Sequence, residues 1–175
     1  MSDGGRTFLD AALPHLDAVY RVARNMTRSH HEAEDLVQET YMRAFAAFRS
    51  HHGPSTKAWL VTICLNLARS EGRRRMRHPS DPVPPEQHEA IASGAVSVPD
   101  EALANIDGER VRRALAQIPE EQRVAIVLMD LAGHSASEVA KMLDCSRNTV
   151  LSRAYRGRQR LASLLVKEGA NRDLP

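Results

Sequence analysis

The sequence predicts an all-α protein of two small helical domains joined by an acidic, proline-rich linker. Three observations lead there. Apolar residues recur at helical spacing almost throughout, with no sustained period-two alternation and no Asn-Gly or Asp-Gly hairpin between apolar runs. The charge is segregated: residues 1–77 and 108–175 each hold twelve Lys/Arg against eight Asp/Glu, while 78–107 hold six acids and no cation. The same middle stretch carries Pro79, Pro82, Pro84, Pro85 and Pro99, five of nine prolines. The expected boundaries are therefore 1–77, 78–107 and 108–175. A length of 175 residues fits one domain or two small ones.

In the first block, Leu9, Leu13, Leu16, Val19, Ala23 and Met26 make a helical stripe, which Pro14 either kinks or starts. Ser29 and Glu32 form a capping box, so a second helix starts near His30. Its apolar stripe is Ala33, Leu36, Val37, Thr40, Ala44, Phe45 and Phe48; its opposite face is Asp35, Gln38, Glu39, Met42 and Arg43. "HHGPST" breaks the chain before a third helix that buries Leu60, Ile63, Cys64 and Leu67. Thr62, Asn66, Arg69, Ser70 and Arg73 share its other face, and Arg74, Arg75 and Arg77 follow. The stretch 78–107 lacks periodicity and reads as an extended or disordered tether, a plain spacer or a functional thread.

The last block predicts four helices. Val111, Leu115 and Ile118 face inward on the first. Pro119 suits the first turn of the next, with Glu120 and Glu121 at its positive end; Val124, Leu128 and Leu131 are its buried side and Gly133 ends it. Ser135 and Glu138 box the start of the third, which buries Val139, Ala140 and Leu143. Ser146 caps the fourth. At about 100° per residue Val150, Ala154, Gly157 and Leu161 fall in one wedge, with Thr149, Ser152, Arg153, Arg156, Gln159 and Arg160 over the opposite arc. Helix, short turn, then a helix that is polar and cationic outward is the helix-turn-helix pattern. Arg147, Asn148 and Ser152 could reach base edges, and Thr149, Arg153 and Arg156 phosphates. A solvated basic helix packed on its neighbour is the plainer alternative.

The other chemistry is sparse. Cys64 and Cys145 lie far apart and outside any ligand spacing, which argues against a disulfide framework or zinc site. The His30-His31 and His51-His52 pairs are expected to be solvated or capping residues. No metal site, cofactor or small-molecule substrate is expected. The N-terminus lacks a signal-peptide pattern and no apolar run reaches membrane-spanning length, so a cytoplasmic protein without membrane insertion is expected.

"HEAEDLVQETYMRAFAAF" followed by "KAWLVTICLNLARSEGRRR" resembles the second conserved region of extracytoplasmic-function sigma factors, a group of the sigma-70 family. "IPEEQRVAIVLMDLAGHSASEVAKMLDCSRNTVLSRAYRGRQRL" resembles their fourth. The resemblance covers roughly 8–77 and 108–165 in family order. It implies an alternative sigma factor that binds core RNA polymerase, directs promoter-specific initiation, and is held by an anti-sigma factor. It implies that Asp35, Gln38, Glu39 and Arg43 meet the polymerase clamp helices. It also implies that Thr62, Asn66, Arg69, Ser70, Arg73 and Arg74 meet the melted minus-ten strand, with Asn66 holding a flipped base and the arginines its phosphates. Arg75 and Arg77 extend that row, and Trp59 is core. Arg147, Asn148, Thr149, Ser152, Arg153 and Arg156 fall at the minus-thirty-five duplex, and the acidic linker where the family threads the active-site cleft. Thr56, where the family often has an apolar or aromatic residue, and Ser70, where an acid or Asn is common, depart from the pattern.

The residues alone also bear on two other classes. A simple helix-turn-helix repressor or activator needs neither the "AEDLVQE" helix nor Asn66 with its basic tail. An enzyme acting on nucleic acid needs a metal or acid/base cluster, and the sequence offers none.

Overall fold

The computed structural model describes residues 3–51, 53, 55–77 and 99–170. Among the described residues every regular element is helical. The first helix, α1, spans Asp3–Ala12, and a single 3-10 turn at Leu13–His15 leads into α2, Leu16–Met26. Pro14 explains the break: it has no N–H to continue the ladder, and it sits in the first positions of the 3-10 turn. The break shifts the phase of the buried stripe. Leu9, Leu13 and Leu16 are exposed, and Phe8, Ala12, Val19, Val22 and Ala23 form the inner side instead. The stripe expected from Leu9 to Leu16 is thereby corrected, because its spacing assumed one unbroken helix.

Ser29 caps α3, His30–Ala47, by accepting the Glu32 N–H at 3.0 Å. The expected reciprocal bond is absent. Glu32 instead accepts the Arg28 N–H at 2.9 Å and pairs with Arg75 at 2.9 Å. Inward, α3 buries Ala33, Leu36, Thr40 and Ala44, and the Thr40 hydroxyl donates to the Leu36 carbonyl at 2.7 Å. Phe45 is not buried as expected: it lies over the edge of Phe8, 5.4 Å between ring centroids, and remains 55% exposed. After a 3-10 turn at Phe48–Ser50 comes α4, Thr56–Arg77, burying Leu60, Val61, Cys64, Leu65 and Leu67. Ile63 is half-buried against this core. Burial pushes the Cys64 thiol up to about 12, so it stays protonated and unreactive.

The last block opens with α5, Pro99–Ala116. Nine residues of the expected tether, 99–107, are therefore helical; the rest of the expected thread, 78–98, lies outside the described residues. Pro119 is the N-cap of α6, Glu120–Ile126, one position earlier than expected, and its carbonyl accepts the N–H groups of Gln122 and Arg123. The helix then widens into one π turn at Val127–Leu131, where the Ala132 N–H reaches back to the Val127 carbonyl at 2.9 Å. Gly133 ends it with φ +71°, the left-handed conformation that glycine adopts without strain. Ser135 and Glu138 form a complete capping box on α7, Ala136–Met142. Ser146 caps α8, Arg147–Ala170, by accepting the Thr149 N–H at 3.0 Å.

α6 and α8 cross closely at Gly157. A Cβ there would lie 2.6 Å from Ile126 Cδ1 and 3.2 Å from the Gln122 carbonyl oxygen. Gly157→Ala gains up to about 1 kcal/mol of helix propensity but forces two backbones apart, at about 1–3 kcal/mol. The expected result is a net loss of roughly 1 kcal/mol, read as a lower urea midpoint at unchanged slope. A midpoint equal to or above wild type would show that the crossing has slack.

The two blocks do not hang apart. Val19, Val22, Leu60, Val61 and Leu65 belong to the same buried cluster as Val124, Val127, Leu128, Val139 and Val150. Polar contacts stitch the rim. Arg24 pairs with Glu109 at 3.0 Å, Arg112 donates to the Arg28 carbonyl at 3.1 Å, and Arg69 pairs with Glu120 at 3.3 Å. Arg112, one helical turn along, hydrogen-bonds Glu109 and, with Arg24, holds its carboxyl below the usual range. His134 is buried beside this seam, its pKa lowered by burial and by Lys57 of α4.

Candidate functional site

Three surfaces hold the residues singled out from the sequence. On α3, Asp35 and Gln38 are exposed, while Glu39 and Arg43 pair with each other at 2.6 Å along the helix. Asp35 sits 3.7 Å from His31 one turn earlier, and its side chain is 65% exposed. Beside them opens a groove of about 400 Å³ between α3 and α4, floored by Met26, Leu36, Leu67 and Ala68 and rimmed by Glu32, Glu71 and Arg75. Met42 and Phe45, 60% and 55% exposed, stand on the outer side of α3. Sequence reading had placed Met42 on that polar side without seeing that two large apolar side chains share it. Such a mixture of exposed acid, amide and apolar surface suits a protein partner.

The second surface runs along α4. Thr62, Asn66, Arg69, Ser70 and Arg73 recur at three- and four-residue spacing, so they form one stripe. The Thr62 hydroxyl donates to the Ala58 carbonyl at 2.7 Å, leaving its oxygen free to accept. Asn66 is exposed between two turns of the stripe, with both amide functions available. Arg73 and Arg74 are exposed, Arg74 lying 3.5 Å from Glu71. Arg69 differs from the expectation of an open cation: it is half-buried against Glu120 of α6. No sequence pattern links positions 69 and 120, because the pair exists only where the blocks meet. At the start of α4, Trp59 packs on the core and His51 lies flat on it, 4.0 Å between centroids at 9°. His51 also stands at the C-cap of the 3-10 turn, its N–H donating to the Phe48 carbonyl at 3.1 Å, in keeping with the expectation of a solvated or capping residue, and it adds a stack on Trp59 that the sequence does not signal. His30 and His31 are exposed as expected, and the Tyr20 hydroxyl lies 2.6 Å from His30 Nδ1.

The third surface is the outer arc of α8. Arg147 and Asn148 project from its first turn and are exposed. Thr149 is drawn into the cap, its hydroxyl 2.8 Å from Ser146 Oγ. Ser152 is half-buried, and Arg153 is tied to Glu121 at 2.8 Å. Arg156 is exposed. Arg158 forms a two-pronged pair with Asp130, at 2.9 and 2.7 Å. Tyr155, 61% exposed, lies outside the buried wedge of α8 and adds an aromatic ring to this surface; a division into polar and apolar positions does not single it out. Among the described residues no cluster of His, Cys, Asp and Glu could hold a metal ion, both cysteines are free, and no helix is long and apolar enough to cross a membrane.

A block of four helices, α1–α4, with a polar stripe on its last helix, and a helix-turn-helix with a cationic second helix at the other end of the chain, is the layout of a promoter-recognition protein. Comparison with known proteins agrees. Residues 12–78 match Sigma-70 region 2, and residues 108–161 match Sigma-70, region 4. The ECF RNA polymerase sigma factor EcfG of Rhodopseudomonas palustris (strain TIE-1) is 35% identical over 171 residues, 97% of this chain and 90% of the relative. SigM of Mycobacterium tuberculosis is 34% identical over 152 residues, 86% of this chain and 73% of the relative. Among solved structures, the sigma factor RpoE in complex with the anti-sigma factor NepR from Bartonella quintana superposes with a TM-score of 0.75 at 34% identity, covering 91% of this chain and 97% of that one. CnrH in complex with the cytosolic domain of CnrY gives 0.69 at 25% identity, covering 93% and 90%. The chain therefore belongs to the ECF sigma factors of the sigma-70 family, non-enzymatic regulators of transcription, and its function is promoter-specific initiation.

Proposed function

We propose that the three surfaces divide that function. The α3 face of Asp35, Gln38, Glu39 and Arg43 docks on core RNA polymerase. The α4 stripe of Thr62, Asn66, Arg69, Ser70, Arg73 and Arg74 takes the melted minus-ten strand. The α8 arc of Arg147, Asn148, Thr149, Ser152, Arg153 and Arg156 takes the minus-thirty-five duplex. The chain supplies no catalytic group of its own and works in the cytoplasm; its first block ends near residue 77 and its second opens with α5. The observation that carries the reading is the exposed first turn of α8, where Arg147 and Asn148 stand free of any ion pair among the described residues. Arg147→Ala is expected to cost about 1–3 kcal/mol on the best site and relax preference at one base pair. The measurement is runoff transcription with core polymerase on a library randomised at the minus-thirty-five element. An even loss across all sequences would place Arg147 on the backbone instead.

Control by an anti-sigma factor follows from the shared core. Promoter elements centred 25 base pairs apart lie roughly 85 Å apart along B-DNA. A compact fold of this length is only about 40 Å across. The two blocks must separate to read both elements, and Arg69 must leave Glu120. A partner that holds the blocks together silences the factor. The likeness to sigma factors captured with anti-sigma factors, over more than nine-tenths of the chain, supports such a partner here.

A further inference from the structure

The cations of α8 are sorted. Arg153 and Arg158 are ion-paired at the surface of the fold with Glu121 and Asp130. Arg156, Arg160 and Lys167 make no ion pair among the described residues, although Arg160 donates to the Gln122 side chain at 3.1 Å. Those three, with Gln117, Gln159 and Ser163, line an open groove of about 470 Å³ between the end of α5 and the outer half of α8. Among the described residues no acid lines it, and Leu164 is its one apolar side chain. The spacing 156, 160, 163, 167 puts cation, cation, hydroxyl and cation on one helical stripe about 16 Å long.

We propose that this groove is a second DNA contact, a seat for the sugar-phosphate backbone bordering the base pairs that the first turn of α8 reads. The inference rests on α8 being the minus-thirty-five reader. Arg160 stands about 20 Å along the helix from Arg147, past the edge of a major groove about 12 Å wide, so it faces phosphates and not bases. The lining favours nucleic acid over a protein helix. Protein interfaces centre on aromatic or aliphatic anchors, which this groove lacks, whereas amides, hydroxyls and unpaired cations match phosphate oxygens. The contact adds affinity without adding sequence preference, because every strand presents the same phosphates.

The test uses holoenzyme assembled from core polymerase and the full chain, with a promoter duplex titrated across a salt series. Arg160→Gln with Lys167→Gln is expected to lower the slope of log affinity against log salt by about two and to weaken binding roughly tenfold at about 0.15 M salt, evenly across minus-thirty-five sequences. A hydroxyl-radical footprint should lose protected positions flanking the element. Arg160→Lys with Lys167→Arg should restore both. Arg158→Gln, which removes a cation already neutralised, should leave the slope at its wild-type value. An unchanged slope in the double Gln variant overturns the proposal, and so does an unchanged slope accompanied by weakened capture of a protein partner. Arg147→Ala in the same assay separates the two readings: loss of selectivity there with no slope change in the double variant retires the groove and keeps the reader, whereas no loss of selectivity retires the reader itself.

Discussion

Asn66→Ala holoenzyme is expected to assemble on core polymerase and bind the promoter duplex, yet to fail at strand opening. Asn66 is exposed in the middle of the α4 stripe, and no hydrogen bond from another described residue holds its amide. An amide can donate and accept at once, which is what a base edge taken out of its stack requires. Alanine removes both functions and adds nothing, so the open state loses about 1–3 kcal/mol, or roughly five- to 150-fold in population. Permanganate reactivity of the minus-ten thymines reads this directly. Wild-type reactivity would mean that Asn66 is a bystander on a solvated helix face.

Asp35→Arg is expected to abolish capture by core polymerase while leaving helix content intact. Asp35 caps no helix and is not part of the core; its charged partner among the described residues is His31, one turn earlier on the same helix. Reversing its charge places a repelling group in the docking face, where like charges cost several kcal/mol, more than about a hundredfold in affinity. Co-elution with core polymerase, beside a circular-dichroism spectrum, separates docking from folding. A folded variant that still co-elutes would move the polymerase contact off this face.

Periodicity and capping chemistry made the helices legible. Ser29, Ser135 and Ser146 each cap where expected, and Gly133 stops its helix by a positive φ. The failures share a cause. A stripe tells which side of a helix is apolar, but Pro14 re-phased one stripe and left Leu13 exposed, while Phe45 found only the edge of Phe8 to cover it. The site was legible as residue types at a spacing and illegible as pairs. Arg69 meets Glu120 fifty-one residues away, and Arg153 meets Glu121 across a helix crossing. Such partners depend on tertiary approach, which one-dimensional periodicity does not encode.

Because buried residues of both blocks form one cluster, the chain is built to melt as one cooperative unit and not as two. A methyl group removed at Val61 loosens α8 as well as α4, and amide protons in the two blocks share a common opening energy. Drawing the blocks apart uncovers apolar faces that had covered each other. A factor in that state sticks to itself and is open to proteases unless another surface takes over the burial. If the blocks separate on polymerase, as proposed, the lifetime of the factor is expected to follow its occupancy, long for the closed chain and short for an open chain with no partner.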